Sequence, residues 1–315
     1  MSFSDPARPA GSPHRKSVRG LAQQRERLFL WMLAPAALLI IVLVAYPIMA
    51  MINFAFQDVK LFGLVNNAEP EYSLRNFERL LTDPRTVTML GTTAVYVFIG
   101  TGLAFIWGLA TALLLNKSFA GRRALRMLIV SPWAVAAVVA SLSWMFLLNS
   151  ETGLINYLLL YTGITRQPIN FLGNHNWALA SVVFVSAWKS YPFFTVMLIA
   201  GLSAVPRDAL DAARIDGAGP VRGFFWVTLP ALRPVIAVSL PLSILSSFRE
   251  IETIFVLTGG GPGRATETAA VAIYNQAFQF FEVGRASAIG VLVFLICLVF
   301  VFVSLRLLQY REPQK

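Results

Sequence analysis

The sequence predicts an all-α, polytopic membrane protein with six transmembrane helices, and three observations predict it. The chain of 315 residues is 57% hydrophobic and only 13% charged, more apolar surface than one soluble core can hide. Windows of about twenty residues pick out six apolar segments, and the cations cluster in alternate connections between them. A single cysteine, Cys297, lies inside the last segment, which excludes an intrachain disulfide and a cysteine-rich metal cluster.

The expected spans are Leu28–Phe54, Val87–Leu115, Leu125–Leu148, Trp177–Val205, Val235–Leu257 and Gly284–Leu308. Residues 1–27 read as a basic tail poor in order-promoting residues, 28–308 as the transmembrane domain and 309–315 as a C-terminal tail. The first apolar stretch is longer than the h-region of a signal peptide and follows a long basic leader, so it is expected to be a span. The net charge of +10 is a topology signal rather than a nucleic-acid footprint. Arg8, Arg15, Lys16, Arg19, Arg25 and Arg27 precede the first span. Lys117, Arg122, Arg123 and Arg126 sit between the second and third, and Arg207, Arg214, Arg222 and Arg233 between the fourth and fifth. The positive-inside rule places these connections and both termini in the cytoplasm.

In the first span Pro35 and Pro47 are tolerable where neighbouring helices satisfy freed carbonyls. Beyond it, Ser73 is expected to cap a short surface helix carrying Phe77, Leu80 and Leu81. The second span is studded with small residues; Gly100, Gly102, Gly108 and Ala112 read first as sites of close helix approach and second as transport residues. Pro132-Trp133 places an aromatic beside a helix break in the third span. In the fourth, Lys189 stands near the middle of a membrane helix, where an ionised side chain must face the bundle interior, water or a carboxylate. Pro192 is expected to kink that helix beside Ser190 and Tyr191.

The stretch Pro206–Pro234 is the one long polar interruption that still reads as ordered. Pro206 suits a first helical position, Asp208 the first turn, and Gly217 a left-handed helix end. Pro220 can begin a second short helix with Phe224, Phe225 and Trp226, which Pro230 and Pro234 would close. In the fifth span Ser239, Ser243, Ser246, Ser247 and Glu250 recur at intervals of three and four, on one helical face, with Arg249 and Glu252 beside it. Such a stripe suits either hydrogen bonding to a polyhydroxy solute or tight helix packing; Glu250 and Arg249 favour the former, and Lys189 or Arg249 can neutralise Glu250 or Glu252. The run Thr258-Gly259-Gly260-Gly261-Pro262 lacks the Gly-Lys-Ser/Thr ending of a phosphate loop.

Asp211-Ala212-Ala213, Asp216-Gly217-Ala218 and Leu229-Pro230 with Pro234 beyond are similar to the cytoplasmic coupling loop of ABC importer permeases, with Asp211 in place of the usual Glu. Trp188…Pro192-Phe193 upstream and the Thr-Gly-Gly-Gly-Pro turn downstream resemble the carbohydrate-uptake branch, in the subunit related to the larger maltose permease protein. The resemblance runs from about Phe29 to Leu308. It implies the six-span permease core, a second permease subunit, a cytoplasmic ATPase dimer that binds ATP and Mg, and an extracytoplasmic solute-binding protein, in a bacterial inner membrane. It implies no enzyme activity and no cofactor in this chain. The family's solute-contact positions fall on Trp133, Lys189, Ser190, Ser243, Ser246, Ser247 and Glu250, and its ATPase-coupling positions on Asp211, Ala212, Ala213, Asp216, Gly217 and Ala218. The solute implied is a sugar, a glycerol phosphate, a polyol or an anionic glycoside. A proton-coupled transporter using Lys189, Glu250 and Glu252 is the alternative from another class. An intramembrane enzyme is disfavoured, since His14 and His175 lie in the tail and an outer loop.

Overall fold

A computed structural model of the chain describes residues 32–60, apart from Ala36, and 71–309. The basic tail 1–27, the start of the first span, Glu69 and the last six residues lie outside them. Two compact units divide the chain after Asn53. The first belongs to helix α1 (Met32–Ala55), whose apolar side chains from Leu38 to Val44 are all exposed, a surface that suits lipid or a neighbouring subunit.

The second unit begins at Phe54 and, in its described residues, is built of helices and the turns that join them, with one isolated bridge between Gln57 and Tyr72. Its spans are α3 (Pro84–Asn116), the bent pair α4 (Arg122–Ala134) and α5 (Ala137–Leu147), α7 (His175–Ser203), α9 (Pro220–Phe248) and α12 (Val283–Gln309). With α1 they make five helices long and apolar enough to cross a membrane, and six with α4 and α5 counted as one broken span. The shorter helices are α2 (Arg75–Thr82), α6 (Leu154–Tyr161), α8 (Arg207–Ile215), α10 (Glu252–Thr258) and α11 (Ala269–Tyr274).

Parallel packing of α3 on α7 is the centre of this unit. A Cβ added at Gly108 would stand 2.4 Å from the Phe194 Cβ and 2.9 Å from the Tyr191 carbonyl oxygen, so the two backbones meet where only glycine fits. Ala104, Ala112, Leu115, Phe194 and Leu198 bury completely around that contact. Between helices surrounded by lipid there is no hydrophobic driving force, and close van der Waals contact and hydrogen bonds hold the pair instead. Thr111 and Thr195 supply one such bond, hydroxyl to hydroxyl at 2.7 Å. Gly108, Ala112 and the buried Gly100 are therefore packing residues, as the small-residue pattern predicts. Gly102 is not: nothing stands within 4 Å of its added Cβ.

Three local expectations, at Pro206, at Ser73 and at Pro230 and Pro234, need correction. Pro206 caps α8 rather than opening it, leaving Arg207 as the first helical residue. Ser73 does not cap α2, whose cap is Leu74; the Ser73 N–H instead bonds the Phe56 carbonyl. The organiser of this outer corner is Asn76, buried, whose amide donates to the carbonyls of Ala55 and Gln57 at 3.1 and 2.8 Å. The break expected beside Pro132-Trp133 is present, at the extended residues Val135 and Ala136, and α4 and α5 meet at 101°. Pro230 and Pro234 do not close a helix either. A π-helical turn at Phe224–Thr228 widens the backbone so that the Leu229 N–H bonds Phe224 O, and the helix then runs through both prolines to Phe248. An i→i+5 turn just before a proline accommodates the ring that would otherwise meet the carbonyl of residue i−4. The helix α7 likewise continues through Pro192 as one element.

The Gly108 contact gives a direct contrast with Gly102. Gly108→Val forces α3 from α7 and is expected to cost about 1–3 kcal/mol, whereas Gly102→Ala is neutral or stabilising by up to about 1 kcal/mol. Thermal unfolding in detergent separates the two.

Candidate functional site

Three helices bring polar side chains together within the membrane-spanning region. On α3, the Tyr96 hydroxyl lies 2.8 Å from the Ser186 hydroxyl of α7, and Thr101 lies 3.3 Å from the Ser247 hydroxyl of α9. Ser247 donates to the Ser243 carbonyl at 2.9 Å, one turn back on its own helix. Hydroxyl-to-backbone bonds of this kind satisfy a serine locally while leaving its oxygen able to accept a second bond, which is where Thr101 arrives. Tyr96, Thr101 and Ser239 are buried, Ser243 and Ser247 half-buried and Ser246 exposed, so the stripe runs from packed interior to open surface.

Glu250 leaves this stripe. α9 ends at Phe248, and Glu250 stands in the break before α10 rather than one further step along the α9 face. Its Oε1 accepts from the Thr253 N–H at 3.2 Å and the Thr253 hydroxyl at 3.0 Å. The carboxylate thus satisfies an orphan donor at the start of α10, which is what a break between two helices requires. The helical spacing that aligned it with the serines holds only as far as the helix does.

Lys189 and Ser190 are half-buried on α7. Gly100 of α3 faces Val183, and Gly108 faces Phe194, which sets Lys189 at the level between those two contacts. Among the described residues no ion pair joins Lys189 or Arg249 to Glu250 or Glu252, so the neutralisation expected from sequence is not formed within this chain. Trp133, at the last turn of α4, is 54% exposed, and no ring contact or side-chain hydrogen bond connects it to the serines or to Lys189. The aromatic cluster of this region is a different set. Phe184, Trp188 and Tyr191, one face of α7, meet Trp107 of α3 and Trp144 of α5 at centroid distances of 5.2–6.3 Å. Lys189, one residue past Trp188, points about 100° round the helix from that aromatic face.

The hairpin after α7 is the second candidate site. α8 carries Asp208, Asp211, Ala212 and Ala213, and none of its described side chains is fully buried. Asp211 pairs with Arg214 at 2.9 Å, both well exposed, a bond of little structural value. Gly217 has φ of +79°, and the N–H groups of Gly217 and Ala218 bond the carbonyls of Arg214 and Ala213. That is the Schellman ending, with glycine at the left-handed position where other residues are strained. Pro220 then opens α9 as expected. Ile215, Val221, Phe225 and Trp226 are all more than half exposed around this turn, leaving a ready apolar surface.

The glycine-rich run beyond α10 closes on itself. Gly259 and Gly261 donate their N–H groups to Phe255 and Thr258, and Thr266 bonds both the Thr258 hydroxyl and the Gly261 carbonyl. With the Gly259 and Gly261 donors turned inward and Pro262 carrying none, the loop is a self-bonded turn rather than a phosphate cradle. Sequence patterns did not single out Tyr96, Thr101, Ser186 or Thr253; each bonds a residue of another helix or across a helix break, which periodicity along one helix does not encode.

The chain belongs to the family described as the binding-protein-dependent transport system inner membrane component, whose model matches residues 88–312. It is 34% identical to the trehalose/maltose transport system permease protein MalF of Thermococcus litoralis, over 93% of this chain and 97% of that one. It is 30% identical to the sulfoquinovosyl glycerol transport system permease protein SmoG of Agrobacterium fabrum, over 95% of this chain and all of that one. In fold it is similar to a chain of a bacterial ABC transporter involved in import of the acidic polysaccharide alginate, with a TM-score of 0.77 over 92% of this chain, 98% of that one and 20% identity.

Glu250 separates a structural role from any other by chemistry. Glu250→Ala removes the acceptor for Thr253 and is expected to cost about 0.5–2 kcal/mol, while Glu250→Gln keeps an acceptor oxygen and most of the stability. Equal loss in both variants, measured by thermal unfolding, contradicts the hydrogen-bond assignment.

Proposed function

We propose that this chain is the non-catalytic permease subunit of an ATP-driven importer for a sugar or related polyhydroxy solute. The observation that carries the proposal is the exposed hairpin Pro206–Pro234, built on the Gly217 turn, in a chain of the binding-protein-dependent family. The names of two relatives, for trehalose/maltose and for sulfoquinovosyl glycerol, support a glycoside, neutral or anionic, as the solute class. The permease pairs with a second permease subunit in the inner membrane. Both termini and the hairpin face the cytoplasm, where a dimeric ATPase binds ATP and Mg. An extracytoplasmic binding protein delivers the solute on the other side; no nucleic acid takes part.

In this reading Asp211, Ala212, Ala213, Asp216, Gly217 and Ala218 form the knob that the ATPase grips. The small Ala side chains let α8 seat closely, and the apolar surface of Ile215, Val221 and Phe225 adds contact area. Movement of the knob passes directly into α7 and α9, which flank it in the chain and touch each other where Gly201 meets Leu232 and Val235. Those two helices carry Lys189, Ser190, Ser243, Ser246 and Ser247, and Glu250 follows α9. These residues, with Trp133 stacking on an apolar sugar face, bond solute hydroxyls in the pathway. A proton-coupled mechanism needs a relay through Lys189, Glu250 and Glu252. Among the described residues no ion pair joins these three, and the relatives do not support a relay.

Gly217→Val forces a β-branched residue into the left-handed region at a local cost of roughly 1–2 kcal/mol. It is expected to abolish solute uptake while membrane insertion and expression stay at wild-type levels. Normal uptake by that variant, measured in cells supplied with the partner subunits, would rule out coupling through this turn.

A further inference from the structure

The first turn of α4 presents a cation cluster that the fold itself does not use. Lys117, Arg122, Arg123 and Arg126 lie within ten residues, and among the described residues none has an ion pair or side-chain hydrogen bond. No Asp or Glu occurs between Asp83 and Glu151 in the sequence. Lys117, Arg123 and Arg126 are exposed and Arg122 half-buried. Within the chain this arrangement is unfavourable. The pairs Arg122/Arg126 and Arg123/Arg126 put like charges one turn apart, and all three guanidinium groups stand at the positive end of the helix dipole. Among the described residues no carboxylate compensates this charge, which leaves the collar open to an anion from outside.

The side chains one turn further along say what carries that charge. Leu125 and Ile129 pack inward against the α3–α7 core. Met127 and Leu128 are each 69% exposed, and Phe119 of the preceding loop is 40% exposed. Four residues of helix separate Arg123 from Met127, an axial rise of about 6 Å. A collar of cations thus gives way within one turn to an exposed apolar surface. Because α4 opens a span, Met127 and Leu128 stand at the depth of acyl chains and the collar one turn before them at the depth of headgroups. A phospholipid complements both, with its headgroup against the guanidinium groups and its acyl chains beside the apolar residues.

We propose that the Lys117–Arg126 segment is a docking surface for anionic phospholipid headgroups of the cytoplasmic leaflet. The leaflet rests on the topology proposed above; the lipid contact does not depend on the solute or on the ATPase. The test is native mass spectrometry of the chain with its co-purifying subunits, released from nanodiscs of mixed phosphatidylcholine and phosphatidylglycerol. Phosphatidylglycerol is expected to be retained in preference, and the preference to fall as salt is raised. Arg122→Gln, Arg123→Gln and Arg126→Gln should each lower it by about fivefold. The triple Arg→Lys variant, which keeps the charge, should retain it. A preference unchanged in the Gln variants, or insensitive to salt in the wild type, overturns the proposal. So does a Gln variant that sheds the ATPase subunit yet keeps its phosphatidylglycerol, because the cluster then docks protein. Loss of uptake with lipid preference intact in Gly217→Val distinguishes failure of coupling from failure of this site.

Discussion

The close approach of α3 and α7 at Gly108 is the constraint on which the rest of the second unit depends. In lipid, two apolar helices gain little from being apolar, so a fixed pairing has to come from shape and from hydrogen bonds. A glycine against the Phe194 backbone, flanked by buried alanines, provides the shape, and the Thr111–Thr195 bond provides direction. Once that pair is fixed, Tyr96 and Thr101 on α3 are held at the level where Ser186 and Ser247 can reach them. The polar string across three helices is a consequence of the pairing rather than an independent feature.

The same pair connects the membrane interior to the hairpin. α7 is one element from His175 to Ser203, and α8 begins four residues later at Arg207. α9 starts on the other side of the hairpin and runs through Pro230, Pro234 and Pro241 to Phe248. Short connections on both sides leave little slack between the Gly217 turn and the serines of α9. A soft hinge at Pro230 would have absorbed a displacement of the knob. The π-helical turn that carries the helix past that proline keeps the path continuous, and π turns inside helices recur at functional positions.

Most of the architecture was legible in the amino-acid sequence, because hydropathy and charge asymmetry report each helix against its own surroundings. The spans at Trp177–Val205 and Gly284–Leu308 correspond to α7 and α12 within two residues at each end. The left-handed Gly217 was legible for a local reason too, since a helix end needs only its own neighbours. What escaped depends on more than one segment. Glu250 looked like the last member of a serine stripe, but the helix ends at Phe248 and the carboxylate turns to Thr253. The bend between α4 and α5 falls at Val135 and Ala136, after the proline that signals it. Ser73 carried a capping signature that the Asn76 clasp on Ala55 and Gln57 left without a role. At Ser73 a tertiary contact outweighs a local capping preference of about 1 kcal/mol, while at Glu250 the end of the helix decides where the carboxylate turns.

Coupling of ATP hydrolysis to this chain is the central claim, and co-purification tests it most directly. The chain is extracted in mild detergent from cells expressing its neighbouring transport subunits, and ATP hydrolysis by the product is measured with and without solute-loaded binding protein. The account predicts that a second permease and an ATPase accompany the chain, and that hydrolysis rises when the loaded binding protein is added. A chain that purifies alone and accumulates solute in vesicles from a proton gradient, without ATP, would contradict it.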